Sequence, residues 1–399
     1  MAVTGTRRAD PASPRTANLA AVLRALRTGP LSRSQLATRC GVAKSAVPGL
    51  LAELAERGLV RSAGVLPGNG RPSRLVELDG EGACALALGI EADRLSAVVT
   101  DLSGRVLAER SETVDVAAAG LQRGMDELAH LSHRVLSGPP AGVAISVPGL
   151  VDSAAAVLRF APALRWRDAE IAGLMAARLG LPAEAIAVDN EANLGALAES
   201  LAGVRELFYL SGGTAVGGGL VAGGAILRGA RGFAGEVGHI AVDPHGERCS
   251  CGRTGCLETK ANLAAVLRAA AAPGDPLHDP ALGVEGRVAL LKHRVRRGDQ
   301  RAVTAVHELG VALGVALSTV VDVLDPDVVV LGGYFGELGE WLVEPVRVEL
   351  AAHTQPGLHA RVVPSALGLG APLRGAAHLA ADRIFADPTL VAGPEEASV

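Results

Sequence analysis

At 399 residues the chain is too long for one ordinary core, and two or three domains are the natural division. It contains no uninterrupted apolar run of about 18 residues and no apolar signal-peptide core at its start, so the sequence predicts a cytoplasmic protein with no membrane segment. The net charge of −4 is unevenly spread: residues 1–79 hold 12 Arg/Lys against 5 Asp/Glu, and the remainder holds 26 against 37. A basic head on an acidic body suggests a nucleic-acid-binding module joined to something else.

Residues 1–15 are rich in Pro, Arg and Thr and read as a disordered leader. Leu19, Val22, Leu23 and Leu26 then recur at the i, i+3, i+4, i+7 spacing of an amphipathic helix, which Gly29-Pro30 ends. Ser32 with Gln35 three positions on forms a capping box that opens a second helix, closed by Gly41. The third helix carries Val47, Leu50, Leu51 and Leu54 on one face, leaves Lys44, Ser45 and Glu53 to solvent, and stops near Gly58. Two short strands around a Gly/Pro turn follow, so residues 16–80 read as a winged helix-turn-helix for double-stranded DNA.

The residues placed to meet DNA are Arg33 and Ser34 on the second helix, Lys44 and Ser45 at the start of the third, and Arg71 and Arg74 on the wing. Pro48 lacks an N–H and crowds the carbonyl of Lys44, so the third helix must begin late or kink there.

From residue 81 to 385 strands and helices alternate, giving an α/β body with mixed sheets in two lobes; residues 386–399 read as a disordered tail. Within the body, His239, Cys249, Cys251 and Cys256 form H-x9-C-x-C-x4-C, four soft donors of the type that closes a tetrahedral zinc site with no open position. The spacing leaves two alternatives, a redox dithiol or incidental thiols, although C-x-C is not the usual redox spacing.

The stretch "GEVGHIAVDPHGERCSCGRTGCLE" and the preceding "SGGTAVGGGLVAGGAILRGARGFAG" resemble the ROK family of repressors, open reading frames and sugar kinases. "SVPGLVD", "VDNEAN", "VVVLGG" and the winged head with its "GRPS" extend the likeness over residues 15 to 385. The resemblance implies a two-lobed, actin-like (ribonuclease H-like) sugar-kinase fold with a sugar site in the cleft, and a structural zinc held by His239, Cys249, Cys251 and Cys256. It further implies sugar contacts from Asn190, Glu236, His239 and Glu258, with Glu191 beside them. Carboxylates, an amide and an imidazole together suit a ring of hydroxyls.

Two places depart from the kinases of that family. Their Asp-x-Gly-Gly-Thr phosphate turn corresponds here to "GIEADRLS", where Glu91 replaces the Asp and Asp93-Arg94 replace the glycines, and their catalytic Asp is Glu191. "GGTAVGGG" (212–219) and Gly332-Gly333 are retained, but glycines also serve close packing.

The expectation is therefore a sugar-responsive regulator, a homodimer or dimer of dimers on a palindromic operator, whose kinase body is a receptor and not an enzyme. An active sugar kinase with a DNA-binding head and a thiol-based redox regulator are the rival readings. Trp166, between Arg165 and Arg167, reads either as a stacking platform or as core.

Overall fold

The first described helix, α1 (Pro14–Ala25), starts where Ser13 Oγ accepts the N–H of Thr16 at 3.2 Å and Pro14 supplies a preset φ. This is a computed structural model, and it describes residues 13–66, 73–80 and 82–391. Helix α1 thus begins inside the stretch expected to be a leader. The short strand β1 (Leu31–Ser32) leads into α2 (Arg33–Cys40). The capping box forms as expected: Ser32 Oγ accepts Gln35 N–H at 3.3 Å, and Gln35 Oε1 accepts Ser32 N–H at 2.8 Å. Gly41, at φ 67°, closes the helix in the left-handed region.

Helix α3 (Val47–Glu56) begins late and does not kink: Pro48 lies in its first turn, where no N–H is required. The antiparallel wing pairs β2 (Val60–Leu66) with β3 (Ser73–Leu78), and β1 adds to the other edge of β3. Leu19, Leu23, Leu36, Leu50 and Leu54 meet in the head's core.

The body follows in chain order: β4 (Cys84–Ile90), β5 (Arg94–Asp101), β6 (Val106–Thr113), α4 (Val116–Val135), β7 (Gly142–Val147), β8 (Leu150–Asp152), β9 (Val157–Ala161), β10 (Trp166–Ala169), α5 (Ile171–Leu179), β11 (Ile186–Asn190) and α6 (Glu191–Ser200). The second lobe holds β12 (Leu207–Gly212), β13 (Val216–Ala222), β14 (Ala225–Ile226), α7 (Leu257–Ala261), α8 (Leu263–Ala270), α9 (Gly283–Arg296), α10 (Gln300–Leu324), β15 (Val328–Gly333), α11 (Tyr334–Glu337), α12 (Gly339–His353) and β16 (Arg361–Pro364). Helix α13 (Ala371–Ala386) returns to the first lobe.

One five-strand plan occurs twice. In the first lobe β4, β5 and β6 form an antiparallel meander, and β7 and β11 add in parallel beside β4, giving the order β11-β7-β4-β5-β6. In the second, β12, β13 and β14 form the meander and β15 and β16 add in parallel, giving β14-β13-β12-β15-β16. This is the two-lobed, actin-like architecture expected, with the winged head in front of it.

Helix α6 is clamped between layers by missing side chains. A Cβ on Gly219 would lie 2.2 Å from the carbonyl oxygen of Ala192, and one on Gly375 of α13 would lie 1.9 Å from that of Leu194. Most of "GGTAVGGG" thus has a packing reason: Gly212 faces Phe335, Gly217 and Gly219 face α6, and Gly218 faces Phe208 and Gly235. Gly213 meets nothing closer than 3.9 Å, so its bareness is not a packing requirement.

Several sequence expectations are corrected. The tail does not begin at 386: a short helical turn at Pro388–Leu390 packs on α1 and α13, and Arg57 donates to the Thr389 carbonyl at 3.3 Å and to that of Val391. Residues 392–399 lie outside the described residues. Glu53 is not a free solvent-facing acid, because it pairs with Arg15 and Arg57. Trp166 is core, 4% exposed against α4, where a Cβ on Gly124 would come within 3.2 Å of its ring. The small sheet β8–β9–β10 escaped the sequence reading because its strands have only three to five residues. Helix α10 is, among the described residues, the one long and apolar enough to cross a membrane, yet it packs against α8 and α12 with most of its apolar window buried in the core.

Candidate functional site

The cysteine loop is shaped by backbone bonds before any side chain acts. Cys249 N–H donates to Arg253 O at 2.8 Å and Gly252 N–H to Cys249 O at 2.9 Å, and the bridges Ala241–Cys256 and Arg248–Thr254 close the knuckle. Gly252 and Gly255 turn with φ of 89° and 72°, and a Cβ on Gly255 would lie 1.6 Å from Asp243 O, so only glycine fits there.

The knuckle brings His239, Cys249, Cys251 and Cys256 together, their donor atoms all within 4.8 Å of one another. His239 Nδ1 stands 3.7 Å from Cys249 Sγ, and Cys251 Sγ stands 3.7 Å from Cys256 Sγ. A tetrahedral zinc with metal–sulfur bonds of about 2.3 Å needs sulfurs about 3.8 Å apart. The spacing therefore fits such an ion, and it is far longer than a disulfide bond of about 2.05 Å. The thiols are electrostatically uneven: the backbone N–H of Arg253 and its side chain pull Cys251 down to about 6, whereas burial and the neighbouring thiols push Cys256 up to about 12.

Glu236 and Glu258 flank this loop. Glu258 sits in the first turn of α7, immediately after Cys256; its Oε2 accepts Val216 N–H at 3.3 Å and its Oε1 lies 3.8 Å from Cys249 Sγ. Glu236 Oε2 lies 3.7 Å from His239 Nε2, the ring nitrogen opposite the cysteines. Burial raises the Glu236 carboxyl above its usual range; His239 draws it down and Glu258 pushes it up. His239 thus joins the two groups, with Nδ1 toward the thiols and Nε2 toward the carboxylate.

Asn190 and Glu191 stand at the other side, where β11 runs into α6. Asn190 caps α6, its Oδ1 accepting Ala192 N–H at 2.7 Å while Nδ2 donates to Gly149 O at 2.7 Å. One Nδ2 proton is left for a ligand. No hydrogen bond or ion pair among the described residues joins Asn190 or Glu191 to Glu236, His239 or Glu258. Burial, then the nearby Glu91, pushes the Glu191 carboxyl up to about 7.

A residue that the sequence reading missed ties the two sides together. Asp189, 1% exposed, accepts from Arg228 Nε at 3.0 Å and Nη2 at 2.6 Å, and its other oxygen holds Asn190 N–H and Asn193 Nδ2. Arg228 opens the loop that ends at Glu236, so this half-buried pair links the end of β11 to the carboxylate side. Its signal was an acid beside the motif's Asn and an arginine in "RGARGFAG", with nothing in the chain order to pair them.

The Glu191 side opens on a cleft of about 200 Å³ between the lobes, lined by Glu91, Asp93, Arg94 and Ser146 from the first and by Gly213, Thr214 and Glu285 from the second. Glu91 is largely surrounded by protein but still reached by solvent at the mouth; burial, with Asp93 and Glu285 adding and Arg94 opposing, pushes it up to about 7.

In the head, Arg33 and Ser34 are exposed on the first turn of α2. Lys44 and Ser45 are exposed in the turn before α3 and not on the helix, as the late start at Val47 requires. Arg74 is exposed on β3, and Arg71 lies outside the described residues.

The description "ROK family" matches residues 85–383, and "IclR helix-turn-helix domain" matches residues 16–64. The xylose repressor of Bacillus subtilis (strain 168) is 26% identical over 374 residues, covering 90% of this chain and 93% of that protein. A crystal structure of a ROK family transcriptional regulator, described as a homologue of the E. coli Mlc protein, superposes with a TM-score of 0.74 at 26% identity over 94% of this chain and 98% of that one. A ROK family glucokinase from Streptomyces griseus, solved with glucose and AMPPNP, gives a TM-score of 0.65 at 28% identity, covering 75% of this chain and 100% of its own. With the duplicated five-strand plan, the His/Cys knuckle between two glutamates and a family match across three quarters of its length, the chain belongs to the ROK family.

Proposed function

We propose that this protein is a sugar-responsive, DNA-binding transcriptional repressor, in which residues 16–80 read the operator and residues 81–385 form the sugar receptor. The observation that carries the reading is the winged head: the repressor and the regulator structure match nearly the whole chain, whereas the glucokinase covers 75% of it.

In this reading the sugar's hydroxyls meet Asn190 Nδ2, the Glu236 and Glu258 carboxylates and His239 Nε2. The donors His239, Cys249, Cys251 and Cys256 would hold a zinc ion, which supplies a fixed corner and no open coordination position. With Nδ1 committed to the thiolate side, His239 presents Nε2–H as a donor to the sugar, while Glu236 beside it accepts. Asp189 and Arg228 hold the two halves of the site at a set distance.

Arg33, Ser34, Lys44, Ser45, Arg71 and Arg74 would contact phosphates and base edges, two heads of a homodimer spanning a palindromic site. Sugar binding between the lobes would reach the head through α6 and α13. Helix α13 packs on α6 at Gly375 and holds the head where Arg27 pairs with Asp382 at 2.7 Å and lies over the Phe385 ring at 4.0 Å. A coupling of about 1–3 kcal/mol would change operator affinity roughly 5- to 150-fold.

Gel shifts on the upstream DNA of the protein's own gene, with and without a panel of pentoses and hexoses, test this. One sugar should shift affinity at least about 5-fold; a panel without effect overturns the reading. The second reading, an active sugar kinase, is favoured by Glu191, whose carboxyl near 7 suits a general base, and by the bare turn at Gly213. A coupled ATP-hydrolysis assay with the same sugars separates them, because turnover of about 1 s⁻¹ or faster would establish the kinase.

A further inference from the structure

The cleft between the lobes has an unusual charge. Its lining holds five acids, Glu91, Asp93, Glu109, Glu191 and Glu285, and one base, Arg94. That base is already committed, since Arg94 Nη1 donates to Glu285 Oε1 at 2.6 Å across the lobes.

Helix α9, 14 residues long, begins at this cleft, and its own N-cap residue Leu282 makes no side-chain capping bond. The cap comes from the other lobe: Asp93 Oδ2 accepts the N–H of Val284 at 3.2 Å, and Gly283 leaves room for it at φ 61°. A helix N-terminus is the place where a phosphate is ordinarily held, because free N–H groups and the positive end of the helix dipole both face it. Here a carboxylate of the protein sits there. The same turn thus does two things: Asp93 fills the anion position on α9, and Arg94 bonds Glu285 in the first turn of that helix.

We propose that the turn Glu91–Arg94 is a built-in substitute for a ligand phosphate, tying the lobes together and making the cleft select uncharged sugars while refusing phosphorylated ones. The inference rests on the receptor reading above and names the chemical class of its effector. A phosphate ester entering the cleft must displace Asp93 from α9 or lie beside Glu91 and Glu191, and finds no unpaired cation in the lining. A neutral sugar meets the hydroxyls of Ser96, Ser111, Ser146, Ser211 and Thr214, which both donate and accept, beside carboxylates that accept. Rejection here comes from misplaced like charge and not from lack of room, which is the repulsive half of specificity.

The test is titration calorimetry on the full-length protein with D-xylose and D-glucose against xylose 5-phosphate and glucose 6-phosphate. The neutral sugar that binds should bind roughly 100-fold or more tightly than its ester. In Glu91→Gln/Asp93→Asn, which keeps side-chain shape and removes charge, that ratio should fall about 10-fold or more, chiefly by gain of ester binding. Should that double variant misfold by circular dichroism, Glu91→Gln alone should still lower the ratio measurably. Equal binding of sugar and ester by the wild type, or an unchanged ratio in a folded variant, overturns this inference and leaves the receptor reading standing. Binding of none of the four compounds by the wild type counts against both.

Discussion

The β4–β5 turn of the first lobe and the β12–β13 turn of the second hold equivalent places in the repeated strand plan and face one cleft, yet they are chemically opposite. The first presents Glu91, Asp93 and Arg94, two of them bonded to α9; the second presents Gly213 and Thr214, with no charged side chain. Symmetry of fold has therefore not preserved symmetry of site. The second lobe also carries the His/Cys knuckle with Glu236 and Glu258, the groups proposed to meet a polyhydroxyl ligand. The first lobe's turn carries two carboxylates and a guanidinium at the matching place. A kept glycine run says little about ATP, because most of its members are required by the packing of α6, Phe208 and Phe335.

The sharpest way to break the second lobe's side is at the knuckle. Cys256→Ser removes a buried donor, and with a metal in place should lower stability by about 4 kcal/mol and abolish the sugar response; denaturation with parallel metal analysis measures both. Unchanged stability and metal content would show the cluster to be incidental thiols.

Glycine roles come next. Gly219→Ala should destabilise by about 3 kcal/mol, since its Cβ would lie 2.2 Å from Ala192 O, whereas Gly213→Ala should stay within about 0.5 kcal/mol. Equal losses in urea denaturation would show that the glycines of this hairpin do not divide into those required by packing and those free of it.

The smallest effect concerns the cleft acid. The Glu191 carboxyl is raised from 4.5 to about 7 in the folded protein, so the folded state holds its proton more tightly than the unfolded chain does. Its contribution is intact below about pH 4.5 and declines as pH rises toward 7, because ionisation is then disfavoured only in the folded state. Glu191→Gln should match the wild type in acid and exceed it by about 1 kcal/mol at pH 8, after allowing for solvent at this partly exposed group. Thermal melts across that range would refute the burial argument if the difference did not grow with pH.

Much of this molecule was legible in one dimension. The head could be read because its signals are local: a capping box at Ser32 and Gln35, a left-handed stop at Gly41 and apolar stripes at helical spacing each act within one turn of chain. The His/Cys knuckle was legible for a related reason, three of its donors lying within eight residues. The small sheet, the ordered segment after α13 and the tie between Asp189 and Arg228 were not, because each depends on partners far along the chain.

By itself, then, the order of residues determined the secondary elements of the head, the donor set of the knuckle and the charge of the turn at 91–94. Only the tertiary structure decided what that charge meets. Asp93 and Val284 are 191 residues apart, and no local rule relates a hairpin turn in one lobe to an N–H in the first turn of a helix in the other. Backbone hydrogen bonding and apolar spacing act over a few residues, whereas the filling of an anion position depends on how two lobes close on each other.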